Sequence, residues 1–204
     1  MPNPMLALIE GRISANRFDG SYALSDGEIE ELTRLATRAP TAYNLQNWRF
    51  IAVRGQQARE KLAVHAYGQT KVREAAVTFI VCGALPDPAT IPTRLLPSIE
   101  AGFIPATLAS AWEESARAQY ADAKRARDEA VRSAALGAAT LIYAAGAMGL
   151  ASCPIGGFDP EGTAREFGLH ADEIAVMLVA VGRAAPGNWP PKARRPLSET
   201  LEIA

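Results

Sequence analysis

"AVTFIVCGAL" (Ala76–Leu85) has no charged residue, and Thr78 is its only hydroxyl. A strand with one wet face alternates apolar and polar residues; a run apolar at nearly every position suits a strand covered on both faces. "IAVMLVAVG" (Ile174–Gly182) reads the same way. Two such strands need a sheet with helices packed around it.

Upstream, Ser25 and Glu28 match a capping box. Ile29, Leu32, Leu35 and Ala36 then recur at helical spacing, giving a helix that ends just before Pro40. "WRFIAV" (Trp48–Val53) reads as a strand and Ala58 to Ala66 as a short helix. Downstream, Pro86, Pro88, Pro92 and Pro97 predict a loop, a place for the rim of a site. Pro105 to Met148 is helical, read as two helices. In it the charged "ADAKRARDEAVR", a solvated face, gives way to the small-residue run "SAALGAATLIYAAGAMG". "LASCPIGGFD" predicts a short strand entering a glycine turn, and Glu161 to Phe167 a short helix. From Arg183 the chain is rich in Pro and Arg without periodicity, a tail that must lie on its own or a neighbouring subunit. Strands and helices interleave without regular βαβ units, and no dinucleotide or P-loop glycine fingerprint follows a strand. The class is therefore α+β.

The 204 residues suit a single domain, 1–204, with a substantial core. A hydrophobic share of 49% is ordinary, and a net charge of -1 gives no reason to expect a nucleic acid or membrane partner. "MPNPMLALIEGR" lacks a secretory pattern, and no uncharged stretch is long enough to span a bilayer. Two cysteines, Cys82 and Cys153, form no disulfide framework or metal spacing. The expected compartment is the cytoplasm.

Chemistry concentrates in four polar segments. "GRISANRF" carries Arg12, Ser14, Asn16 and Arg17; "RAPTAYNLQNW" carries Thr41, Asn44 and Gln46; "YGQTKV" carries Gln69 and Lys71; "PPKARRP" carries Lys192, Arg194 and Arg195. Guanidinium and ammonium groups can cradle an anion, while amides offer donor and acceptor together and can read a heterocycle edge. Such a set suits a phosphorylated planar ligand. Taken singly, each cation is also readable as a surface ion pair, and Asn44 and Gln46 as turn caps.

"RAPTAYNLQNWRF" resembles the Ala-Pro-Ser-x-x-Asn-x-Gln-Pro-Trp motif of the FMN-dependent nitroreductase family, and "GRISANRF" its N-terminal Arg-x-Ser-x-Arg/Lys-x-Phe. "YGQTKVREAAV" is similar to the family's segment leading into a central strand. "GLASCPIGGFD" is similar to Gly-Leu-x-x-x-Pro-Ile-x-Gly-Phe-Asp, and "PKAR" to its C-terminal Lys-x-Arg. The resemblance implies a central mixed sheet flanked by helices and a homodimer with an extended C-terminal arm at the interface. It also implies two FMN sites that draw on both chains. Arg12, Lys192 and Arg194 would hold the phosphate, with Ser14 nearby. Asn16, Thr41, Asn44, Gln46 and Gln69 would approach flavin or ribityl atoms. Pro154, Ile155, Gly156 and Gly157 would line one ring face, with a backbone N–H near N5.

No side chain is then required as acid or base: NAD(P)H would deliver hydride to FMN, and a small nitroaromatic, quinone or related acceptor would take its place in a ping-pong cycle. His65, His170 and Cys153 stay outside that mechanism. The sequence departs from the motif at Thr41 for Ser, Asn47 for Pro and Asn16 for a cation. Lys71, ahead of Arg17, is expected to supply the missing charge near flavin N1 and O2. An NADH oxidase or flavin reductase on the same fold, a flavin-binding protein without turnover, and a helical interaction module over Pro105–Met148 are the alternatives.

Overall fold

The computed structural model describes residues 3–204. In chain order the elements are α1 (Pro4–Gly11), α2 (Asp26–Ala36), β1 (Trp48–Val53), α3 (Gln56–His65), α4 (Thr70–Glu74), β2 (Val77–Ala84), α5 (Ile91–Glu100), α6 (Ala106–Tyr120), α7 (Ala123–Ala147), β3 (Ala151–Ile155), α8 (Pro160–Glu166) and β4 (Glu173–Gly182). The sheet order is β1-β2-β4-β3, with Trp48 opposite Gly83, Val77 opposite Val181 and Ala151 opposite Gly182. All three pairings of these strands are antiparallel. The sheet is thus antiparallel and not the mixed one the resemblance implied, because each strand runs opposite to its neighbour; parallel pairing among the described residues is confined to an isolated bridge, Ser14 to Ser152, on the outer edge of β3.

β2 is buried from Val77 to Gly83, as its unbroken apolar run requires. On one face Ile80, Cys82, Cys153, Ile155 and Leu178 pack with Leu62, Ala63 and Val72 of α3 and α4. On the other, Phe79, Val81 and Val179 pack with Leu32 of α2 and Ala134, Ala138 and Leu141 of α7. α7 comes so close to the sheet that a Cβ on Gly83 would lie 2.3 Å from the Ala130 carbonyl oxygen. With 25 residues it has the length to cross a bilayer, but its small residues are spent on this packing, as in a core helix. The Pro105–Met148 segment is thus part of the sheet assembly and not a separate helical module.

The capping box at Ser25 forms as the sequence predicts, Ser25 Oγ accepting from the Glu28 backbone N–H and Glu28 Oε2 from that of Ser25. Two further expectations need correction. The proline-rich segment after Leu85 is not simply a loop, since Ile91–Glu100 is helical. Pro92 lies in the first turn, where a missing N–H has no intrahelical acceptor to leave unpaired, and burial of Ile91 and Leu95 outweighs the disturbance at Pro97. The charged run on α7 is solvated except at Glu129, which is 2% exposed, accepts from Ser133 Oγ at 2.8 Å and pairs with Arg132.

Candidate functional site

β3 is an edge strand, and its outer side gathers the two ends of the chain. Ala15 N–H donates to Ser152 O at 2.9 Å, extending the Ser14–Ser152 bridge. Further along, Phe18 bridges Ala184, Asp19 N–H donates to Arg183 O at 2.9 Å, and Ala185 N–H donates to Arg17 O at 3.1 Å. These pairings lay the segment 12–19 beside the start of the tail. Arg12, Ser14, Trp189, Pro191, Lys192 and Arg194 thereby line one cavity of about 120 Å³. Arg12 Nη1 donates to Ser14 Oγ at 3.4 Å, and Lys192 Nζ stands 5.6 Å from the Trp189 ring centroid. Among the described residues no acid pairs with Arg12, Lys71, Lys192 or Arg194. Several cations converging without a carboxylate give the cavity a local positive charge, the electrostatic setting that favours an anion.

A second group meets at the other end of β3. Gln69 Nε2 donates to Ala66 O at 3.0 Å and Gly157 O at 2.7 Å, leaving Oε1 as the free acceptor of its amide. Asp159 N–H donates to His65 O at 2.8 Å, so the 156–159 turn is tied to the end of α3 from two sides. Lys71 on α4 is near enough to the Cys153 thiol to act on it electrostatically. Burial pushes that thiol up from its ordinary value, while Lys71 first, then Lys192 and Arg12, pull it back. All three cations thus act electrostatically on one position of β3. Ile155 is 3% exposed and its side chain belongs to the core, so only its backbone can face a ligand. Gly156 and Gly157 are exposed, and a Cβ on Gly156 would meet nothing within 4 Å.

Thr41, Asn44 and Gln46 lie elsewhere. They precede β1, the opposite edge of the sheet, and three strand spacings amount to roughly 14 Å. Asn44 Nδ2 reaches Arg94 O of α5 at 3.5 Å, and Gln46 N–H donates to Thr41 Oγ1 at 3.0 Å. Tyr43, Asn44 and Gln46 have φ of 52°, 54° and 45°, left-handed backbone that only Asn adopts readily. The loop is held in that shape by Tyr43, whose hydroxyl donates to Gln119 Oε1 at 2.8 Å and whose ring meets Trp112 and Tyr120 edge-on. Asn47, where a proline was expected, pairs Nδ2 with Ala84 O at 2.8 Å and extends the β1–β2 ladder. Within one chain, then, the first, third and fourth polar segments come together and the second does not.

Asn16 joins the β3 group through its backbone N–H, which donates to Asn188 Oδ1 at 2.7 Å. Arg17 points away, its guanidinium lying 3.3 Å from where a Cβ of Gly187 would be. Asn188 and Trp189 were missed by sequence reading. Their signal was slight, one amide and one indole in a tail of Pro and Gly.

The Nitroreductase family model matches residues 9–183. The chain belongs to the nitroreductase family. That match takes in the β3 edge, α4 and the left-handed loop, and it stops before Lys192 and Arg194. An NADH dehydrogenase of Thermus thermophilus is 31% identical over 177 residues, 86% of this chain and 84% of the relative. An oxygen-insensitive NADPH nitroreductase of Helicobacter pylori is 24% identical over 180 residues, 86% and 85% of the two chains. A protein of Exiguobacterium sibiricum solved in complex with FMN superposes with a TM-score of 0.89 at 24% identity, covering 100% of this chain and 99% of that one. Family membership makes the chain an oxidoreductase with the α+β nitroreductase fold.

Proposed function

We propose that the protein is an FMN-dependent NAD(P)H oxidoreductase of the cytoplasm that reduces nitroaromatics, quinones or related small acceptors in a ping-pong cycle. The observation that carries this reading is the convergence of Arg12, Ser14, Lys192 and Arg194 on one cavity, with Lys71, Gln69 and the open Gly156–Gly157 turn along the same strand. The donor set fits FMN: unpaired cations for a phosphate, a free amide oxygen and backbone N–H groups for polar ring atoms, and a turn without side chains for a flat surface. When bound, FMN supplies the hydride chemistry, accepting from a nicotinamide and passing on to the acceptor.

The chain's own residues bind and orient. Arg12, Lys192 and Arg194 neutralise the phosphate, and Ser14 adds a hydroxyl that Arg12 already holds in place. Gln69 fixes the turn through Gly157 and offers Oε1 to a ring N–H. Lys71 places positive charge beside Pro154 at the ring end. Thr41, Asn44 and Gln46 would serve the same ligand from a second copy of the chain, since their own strand is at the far edge. A homodimer is supported by surface that no described residue of this chain covers. Met5 and Leu6 of α1 are 58% and 56% exposed, and Leu197 and Ile203 of the tail 74% and 88%.

The test is an anaerobic titration. The purified protein should show an FMN-shaped absorption spectrum, bleach on addition of NADH or NADPH and recover colour with a quinone or nitroaromatic. Its sedimentation should give twice the chain mass. A protein that is yellow but never bleaches would be a flavin carrier. Recovery only with oxygen or free flavin would favour the oxidase or flavin reductase reading.

A further inference from the structure

We infer that Asn188 is a positioning residue that aligns the two halves of the phosphate cradle; the inference rests on the FMN reading above. The cradle is built from segments 178 or more residues apart in sequence, Arg12 and Ser14 on one side, Lys192 and Arg194 on the other. Asn188 stands between them with its amide fully used. Oδ1 accepts from Asn16 N–H at 2.7 Å and Arg17 N–H at 3.1 Å, while Nδ2 donates to Arg17 O and Ala185 O, both at 2.9 Å. Only a side-chain amide offers both senses of bond at this length: aspartate lacks the donors, and leucine lacks everything. Gly187, at φ 88°, turns the chain so that the amide enters, and its missing Cβ leaves room for Arg17.

The clamp is also the last long-range anchor of the tail. Beyond it, among the described residues, hydrogen bonds are local, such as Arg194 Nη1 to Lys192 O at 3.3 Å and Thr200 N–H to Leu197 O at 3.0 Å. With Asn188 in place, Lys192 is tethered by four residues and can reach roughly 13 Å; without it the tether starts at Ala185 and reaches roughly 23 Å. The volume open to the ammonium group grows about fivefold, and the fixed approach to Arg12 is lost as well. Asn188 touches no ligand in this account; it acts through Lys192 and Arg194.

FMN and riboflavin differ by the phosphate, so binding of each to the flavin-free full chain, followed by flavin fluorescence, reads the cradle separately from the ring site. Asn188→Ala should weaken FMN about tenfold and leave riboflavin unchanged. In a Lys192→Ala/Arg194→Ala background the same substitution should change FMN binding less than about twofold, because its route of action is gone. Equal losses for both flavins, or a full loss in the double-variant background, would overturn the assignment. A parent chain that binds FMN no tighter than riboflavin would take down the phosphate reading itself and this inference with it. Should the alanine variant not fold, Asn188→Asp, which keeps both accepted bonds and turns both donated ones into oxygen–oxygen contacts, is judged by the same two comparisons.

Discussion

The two edges of the sheet are both polar, yet they use polarity in opposite ways. At the β1 edge the polar side chains are spent on the protein: Asn47 on Ala84, Asn44 on Arg94, Tyr43 on Gln119, Thr41 on Gln46. Their product is a shape, a left-handed loop that a turn of Gly and Ser would not hold. At the β3 edge the backbone is satisfied first, by bridges to residues 14 and 18 and by the Asn188 clamp, and the charged ends are left over. Unspent charge is what the proposed anionic ligand would need. Spent polarity would present a fixed loop to the second chain of the proposed dimer.

The largest effect is expected where the β1 edge is set against α7. Gly83 pairs with Trp48, and a Cβ there would collide with backbone at Ala130, which cannot swing aside as a side-chain tip would. Gly83→Ala should lower stability by about 3 kcal/mol, read as a fall in the denaturation midpoint. If it is tolerated at no cost, α7 does not press on the sheet as closely as the comparison requires.

Next comes the β3 edge. Replacing Lys192 and Arg194 together by alanine should weaken FMN about 100-fold, or about 2.7 kcal/mol, with little change in thermal stability, since both side chains are exposed and make no ion pair among the described residues. Unchanged FMN affinity would leave the unspent charges without a ligand.

What the sequence made legible follows the same division. β1 was readable to the residue, and the polar segments around β3 were all nominated, because strands and anion cradles depend on residue types that stand out locally. α1 escaped because none of its residues is buried, so no core periodicity marked it, and α4 is a single short turn of helix. α5 escaped because four prolines argue locally for a loop, while the burial of Ile91 and Leu95 that overrules them is tertiary. The separation of Asn44 from Arg12 could not be read at all. It is a consequence of strand order, which the succession of strands along the chain does not determine.

The β1 edge is tied across β2 to β4 by Arg49, whose Nε and Nη2 meet Glu173 Oε1 and Oε2 at 2.7 and 2.5 Å. Burial pushes the Glu173 carboxyl up, but Arg49 and the His170 backbone N–H outweigh it and hold it below the usual carboxylate value. A depressed value means the folded state favours the ionised form. The stability this contributes is present above the ordinary carboxylate pKa of about 4.3 and is lost as pH falls through the lower folded value. Glu173→Gln should cost about 2 kcal/mol at pH 7 and flatten the acid limb of the stability profile. An acid limb identical in parent and variant would show that the tie does not carry the edge.

The smallest effect separates two cations at the β3 edge. Asn16 is neutral where the motif that the N-terminal segment resembles has Arg or Lys, and Lys71 and Arg17 are the candidates to replace it. Lys71 acts electrostatically on Cys153, one residue before Pro154, whereas the Arg17 guanidinium lies beside Gly187 of the tail. Taking up electrons adds negative charge to a bound flavin, and a cation at close range in a poorly solvated pocket favours that state. Lys71→Met should therefore lower the midpoint potential of bound FMN by about 30 mV, equivalent to about 1.4 kcal/mol in a two-electron couple. Arg17→Met should leave it in place, and Asn16→Lys should raise it. A potential that follows Arg17 and not Lys71 would mean that the tail swings in when flavin binds. If neither substitution moves the potential, the β3 edge grips the phosphate without tuning the ring.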